Sequence, residues 1–181
     1  SWSPDGERLA FISGADEHDT IDGRLMVADV SSGSFEPILQ GYEGKVDDVA
    51  WTDAETIRYS ASQGVWTILA DVRYDGSGRE LLLDTGGPIV NSFSLASGAD
   101  RTALVADAPE HPAEAYLLET GEGAPERLTT HNEFLAETEL GRQEVVRYEA
   151  RDGLEIEGLL IRPVGAEEGG GPYPLVTVVH G

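Results

Sequence analysis

Apolar and polar side chains alternate in short runs along most of the chain, and turn residues separate the runs. No amphipathic helical stretch of useful length interrupts them, so strands are expected to dominate. The first run, Ser1-Trp2-Ser3-Pro4-Asp5-Gly6-Glu7-Arg8-Leu9-Ala10-Phe11, reads as a strand end, a tight turn and an alternating strand. Proline presets the turn's backbone angle, and Asp-Gly supplies a side-chain cap and a permissive residue. A degenerate copy runs from Val49 through Trp51-Thr52-Asp53-Ala54 to Tyr59. A third runs from Phe93 through Leu95-Ala96-Ser97-Gly98-Ala99-Asp100 to Val105. Trp2 and Trp51 lie 49 positions apart and Trp51 and Leu95 lie 44 apart, spacings that suit a four-stranded propeller blade.

Each copy is trailed by a hairpin in the same relative place. Leu25–Val30 turns through Ser31-Ser32-Gly33 into Phe35–Leu39. Val65–Ala70 turns through Tyr74–Gly78 into Arg79–Leu83, and Glu114–Leu118 turns through Thr120–Gly123 into Pro125–Thr129. Strand, glycine-bearing turn and strand thus recur three times. A β-sandwich is the competing architecture, but its turns are more closely spaced and its units less self-similar. About three blades, WD40-like in their repeat, are expected over residues 1–132 as the C-terminal part of a β-propeller. Blades bury their faces against neighbours, so three of them do not close a ring alone. With no initiator methionine, the chain is expected to be an internal piece of a longer protein.

After Thr129-Thr130-His131-Asn132 the repeat stops, and residues 133–181 read as a second unit. Glu133–Gly141 is expected as a linker, followed by a strand at Glu144–Ala150, a turn at Arg151-Asp152-Gly153, and a partner strand from Leu154 to Pro163. A glycine-rich acidic stretch, Val164–Gly171, leads to Tyr173-Pro174-Leu175-Val176-Thr177-Val178-Val179-His180-Gly181. That run has the β-branched density of a strand buried on both faces of an open α/β sheet.

Charge changes the picture more than size does. Twelve basic residues against 34 acidic ones give a net charge of −22, and Lys45 is the sole lysine. A basic partner surface is one reading. The other is a solvated acidic coat suited to high salt, where screening suppresses self-repulsion, and the scatter of the acids favours it. This composition resembles that of proteins from halophilic archaea. It excludes the basic footprint of nucleic-acid binding. The longest apolar stretch is short and lies near Leu175–Val179, so no membrane span is expected. No signal peptide is read at Ser1–Gly6, and a cytoplasmic location is the expectation. The absence of cysteine excludes disulfides, thiolate nucleophiles and cysteine metal sites. The histidines, His18, His111, His131 and His180, do not show the helical spacing of a zinc pair, so neither metal nor cofactor is expected.

The Trp2-Ser3-Pro4-Asp5-Gly6 repeat, the Arg127-Leu128-Thr129…Asn132 exit and the junction Tyr148…Asp152-Gly153…Ile156-Glu157-Gly158…Pro163…Tyr173-Pro174-Leu175-Val176…His180-Gly181 together resemble the prolyl oligopeptidase family of serine peptidases, in its acylaminoacyl-peptidase and dipeptidyl-peptidase branch. The resemblance implies a propeller leading into the first strands of an α/β-hydrolase domain. It also implies hydrolysis of short peptides, with the propeller gating access and with a peptide as the partner; an oligomer is possible for the whole protein. In that family a serine in a G-x-S-x-G elbow is the nucleophile, activated by a histidine that an aspartate orients. The chain contains no G-x-S-x-G, and Ser62, Ser77 and Ser97 lack those flanks. No catalytic residue is therefore assigned, and the chain alone is expected to be inactive. His180 and Gly181 match the start of the family's oxyanion loop, whose backbone N–H groups hold the tetrahedral intermediate; the donor is Gly181 or the residue after it, and His180 packs under the loop. Asp47, Asp48 and Glu110 read as solvated loop acids, and His111 as a surface residue. A non-catalytic propeller serving as a protein-interaction platform, and an esterase-like hydrolase of the same fold, remain as alternatives.

Overall fold

A computed structural model describes residues 1–14, 16–18, 23–121, 123–167 and 169–179. The chain is mainly β, with thirteen strands among those residues and one short 3-10 turn at Glu133–Glu137. The strands form three consecutive antiparallel sheets and a separate hairpin. Sheet I contains β1 (Arg8–Ser13), β2 (Arg24–Asp29) and β3 (Phe35–Pro37). Sheet II contains β4 (Lys45–Trp51), β5 (Thr56–Gln63), β6 (Trp66–Arg73) and β7 (Glu80–Leu83). Sheet III contains β8 (Ile89–Leu95), β9 (Arg101–Ala108), β10 (His111–Glu119) and β11 (Glu126–Arg127). In each, strands adjacent in sequence are adjacent in space.

The three expected repeats are present in the hydrogen bonding. Trp2 bridges Leu9, and Ser1 exchanges backbone hydrogen bonds with Ala10. Ser1-Trp2 therefore occupies in sheet I the place that the ends of β4 and β8 occupy in sheets II and III, where Trp51 pairs with Ile57 and Leu95 with Thr102. The turns differ in how they are held. In the first, the Asp5 carboxylate accepts from the Ser3 hydroxyl at 2.5 Å and the Glu7 N–H at 3.0 Å, which lowers its pKa, and Gly6 takes φ +75°. In the second, Asp53 accepts from the N–H groups of Glu55 and Thr56. The third has no such aspartate, and Ala99 there takes φ +58°, a left-handed conformation that costs an L-residue about 1–2 kcal/mol.

The core lies between the sheets. Between I and II pack Ala10, Leu25 and Val27 from one side and Val46, Trp51, Ile57, Tyr59, Ile68 and Val72 from the other. Between II and III pack Leu69 and Leu83 against Val90, Leu104, Ala106, Tyr116 and Leu118. Each fully buried large apolar side chain stabilises by about 1.5–3 kcal/mol relative to exposure. Sheet II is thus covered on both faces, and residues that alternation would send to water are buried too. Arg58 and Ser60 are 2% and 3% exposed. The Arg58 guanidinium forks onto Asp71 with two 2.8 Å bonds, then reaches sheet III, donating to the Thr102 hydroxyl at 2.5 Å and the Ala99 carbonyl at 3.4 Å. The strained third turn is therefore held from the neighbouring sheet.

The chain then forms a hairpin, β12 (Gln143–Glu149) and β13 (Glu155–Ile161), close to the expected bounds. The final expected strand is not formed. Residues 172–179 pair with nothing among the described residues, and Leu175, Val176, Val178 and Val179 are 77–87% exposed. The physical reason is that a strand of this composition needs neighbours on both edges and cover on both faces, and no described strand lies beside it. His180 and Gly181 lie outside the described residues.

Candidate functional site

One end of the sheet stack gathers the features that distinguish this chain from a bare run of sheets. The Thr67 hydroxyl, at the start of β6, accepts the N–H of Val90 at the start of β8, at 2.6 Å. The β5–β6 and β9–β10 turns therefore share an end with the beginnings of β4 and β8. Here β4 and β8 carry bulges at the same place, between Val46 and Asp48 and between Val90 and Ser92. The extra residues, Asp47 and Asn91, are exposed and each binds the next strand. Asp47 accepts from Ser62 at 2.6 Å, and Asn91 donates to Asp107 at 2.8 Å. A bulge turns one side chain out of the ladder, and here it does so twice in register. Asp47 is 3.5 Å from Lys45, and Asp48 accepts the N–H of Val49.

The chain leaves sheet III at this same end. β11 is two residues long, so backbone pairing holds little of the exit. Glu114 holds the rest. A register shift between His111 and Glu114 sets Glu114 at the head of β10, where its side chain is 1% exposed. Its carboxylate accepts from the Thr129 hydroxyl, the His131 N–H at 2.7 Å and the His131 ring Nδ1 at 2.8 Å. The Thr129 hydroxyl also accepts the Ala115 N–H at 2.9 Å. The Thr129 hydroxyl above all, with the two His131 donors, pulls the Glu114 pKa down to about 2 against the opposing effect of burial. His111 opens β10, and its Nε2 pairs with the Tyr116 hydroxyl at 2.7 Å while Nδ1 faces the Pro112 carbonyl.

The hairpin touches the same end through Glu157. Its carboxylate accepts the Val65 N–H at 3.2 Å and is forked by Arg147 at 2.8 and 2.6 Å; Arg147 and then Val65 lower its pKa. Gly64, at φ +60°, lies against this carboxylate so closely that a Cβ there would overlap it.

None of this is a catalytic arrangement by itself. The Ser62 and Ser77 hydroxyls bind Asp47 and Asp75, and the rings of His111 and His131 are engaged as above. Among the described residues, no group of three or more His, Asp or Glu is placed to hold a metal, and no helix is long and apolar enough to cross a membrane. His180 and Gly181, which the resemblance expects to begin an oxyanion loop, lie outside the described residues. Sequence reasoning missed Arg58, Glu114 and Glu157. Arg58 sits at a position alternation assigns to water, the partners of Glu114 lie 15–17 positions away, and the sheet partner of Glu157, Val65, lies 92 away.

One three-stranded and two four-stranded antiparallel sheets, repeated in sequence and packed face to face, define a mainly β protein whose sheets stack as propeller blades do, without closing a ring among the described residues. No protein-family profile matches the chain. In sequence it is similar to the peptidase YuxL of Bacillus subtilis, at 29% identity over 92 residues, 51% of this chain and 14% of that protein. In structure it is similar to the acylaminoacyl peptidase of Pyrococcus horikoshii, with a TM-score of 0.68 and 18% identity over 88% of this chain and 24% of the other. Dipeptidyl peptidase 4 of Porphyromonas gingivalis gives a TM-score of 0.65 at 12% identity over 92% and 24%. The putative TolB of Agrobacterium tumefaciens gives 0.57 at 24% identity over 71% and 47%. At these identities the structural likenesses show a shared fold. The chain spans 14% of the length of its peptidase relative and less than half of each of these structures.

Proposed function

We propose that this chain is part of a serine peptidase of the prolyl oligopeptidase family acting on short peptides, comprising the last blades of its propeller and the entry to an α/β-hydrolase domain. What supports the reading is the combination, in one chain, of a repeat of propeller sheets and a hairpin docked on one end of them. The sequence likeness to a peptidase over half the chain points the same way. In this reading the sheets restrict access to a catalytic domain, and the end bearing Asp47, Asn91 and the docked hairpin faces it. Residues 173–179, unpaired and exposed in this structure, are in this reading the segment that becomes a buried strand once the rest of such a domain covers it, and His180-Gly181 belong to its oxyanion loop, with an N–H near Gly181 among the donors. The nucleophile, base and orienting acid belong to sequence after Gly181.

The repeat of sheets by itself also fits a second reading, a propeller that binds other proteins without catalysis. The two separate in one experiment. The longer protein is treated with a fluorophosphonate probe and assayed on acyl-amino-acid and dipeptide nitroanilides. The peptidase reading expects covalent labelling of one serine, with release of nitroaniline. Absence of both, together with no G-x-S-x-G within about a hundred residues after Gly181, would remove it.

A further inference from the structure

We infer that Glu114 is the anchor that ends the sheet stack, fixing the path of the departing chain through His131, so that conformational freedom between the two units begins at Asn132. The placement of donors and acceptors carries this. β11 closes after Arg127, and the one further backbone bond is Leu128 N–H to the Ala115 carbonyl at 2.8 Å. From Thr129 to His131 the chain is held by side chains converging on one buried carboxylate. A buried carboxylate that accepts three donors loses stability with each donor removed, since its desolvated charge is then underpaired. The three therefore act together as a clasp.

Beyond it the character changes at once. Asn132 gives the following 3-10 turn no side-chain cap, and Glu133–Glu137 contributes no buried residue. The next tie to the stack is Glu157 on Val65. Between these two ties, residues 132–156 have no buried side chain among the described residues. This geometry assigns the anchored end of any movement of the hairpin against the sheets to His131. The inference does not depend on the peptidase reading, because a propeller of any function would carry the same clasp.

The test is amide hydrogen exchange, resolved by mass spectrometry, on the full chain and on Glu114→Gln, Thr129→Val and His131→Ala. Glu114→Gln is expected to speed exchange at His131 and Ala115 at least tenfold while the β4–β6 amides keep their protection. Thr129→Val, which removes the hydroxyl shared by Glu114 and Ala115, is expected to do the same at both amides. His131→Ala keeps the backbone donor and is expected to give a smaller rise, under tenfold. Unchanged exchange at 128–132 in Glu114→Gln and Thr129→Val, with the sheets intact, overturns the inference. So does a rise confined to 133–141. Should Glu114→Gln lose protection throughout, the other two variants decide by the same criterion.

Discussion

Replacing Asp71 by alanine removes the counter-charge of a guanidinium that is 2% exposed and lies between two sheets. Arg58 then keeps its bond to Thr102 and the longer one to Ala99, but loses both charge-assisted bonds to the carboxylate. Breaking a buried pair from one side costs about 3–5 kcal/mol, and because the Asp71 side chain is 18% exposed, water can reach the gap and the lower end applies, about 3 kcal/mol. Arg58→Met alone strands a carboxylate that can turn toward solvent and leaves the Thr102 hydroxyl without its donor, while the Ala99 carbonyl keeps the Thr120 hydroxyl, at about 2 kcal/mol. The pair Arg58→Met with Asp71→Leu removes both charges and keeps the apolar volume, so it is expected within about 1 kcal/mol of the parent. The assay is equilibrium urea unfolding in molar salt, followed by the far-ultraviolet circular dichroism of the sheets. High salt suppresses repulsion among surface acids while leaving a buried pair largely unscreened. Arg101→Ala, which breaks an ion pair with Glu119 whose side chains are 57% and 45% exposed, is the control, at about 0.5 kcal/mol or less. A double variant as unstable as the two singles added together would refute the reasoning, as would an Asp71→Ala cost no larger than the control.

Trp51→Ala should cost about 3–5 kcal/mol by the same unfolding measurement, and Trp51→Phe distinctly less, because phenylalanine keeps most of the contact with sheet I and loses the Nε1–H bond to the Ser1 carbonyl. Gly64→Ala places a Cβ on the Glu157 carboxylate at a positive φ and should cost about 1 kcal/mol, while exchange at the Val65 amide speeds as the hairpin contact opens. For Glu114, the native pKa of about 2 lies below the ordinary value of 4.5, so its contribution is full above pH 4.5 and is lost as pH falls toward 2. The stability difference between the parent and Glu114→Gln should therefore shrink across that window in acid titrations, and a constant difference from pH 6 to pH 2 would contradict the clasp.

Where local chemistry decides, the fold was legible. Ser-Pro-Asp-Gly and its degenerate copy at Thr52–Glu55 form the expected turns because their aspartates bind N–H groups two or three positions on. The first two trailing hairpins and the Gln143–Ile161 hairpin follow for the same reason, through Asp29, Asp75 and Asp152, with bounds shifted by at most three residues. What stayed hidden depends on the second face of each sheet. Period-two alternation distinguishes two faces but does not say whether the polar one meets water, so nothing in the pattern marks Arg58, Ser60, Thr67 and Thr102 as buried, although all are. Glu114 was hidden differently: its partners follow the next turn, and only the short β11 brings them back. The bulges at Asp47 and Asn91 leave no mark in composition, since one extra residue in a strand resembles an ordinary break in alternation.

The residues that carry meaning for function lie where backbone pairing gives out. The sheets need little beyond their apolar faces and turns, and Arg58 answers a defect inside them, the unsupported turn at Ala99. Glu114 and Glu157 have no such defect to answer within a sheet; both bind backbone N–H groups across a boundary, one where the stack releases the chain and one where the hairpin returns to it. A propeller that ended its work at Thr129 would have no use for the second contact. Nor would it need a run such as Tyr173–Val179, whose leucine and valines stand almost fully exposed at a cost of about 25 cal/mol for each Å² of apolar surface left in water. The proposed peptidase reading accounts for them together: in it, a hairpin tied to the sheets by Glu157 leads into the run Tyr173–Val179, which the catalytic domain of that reading would cover.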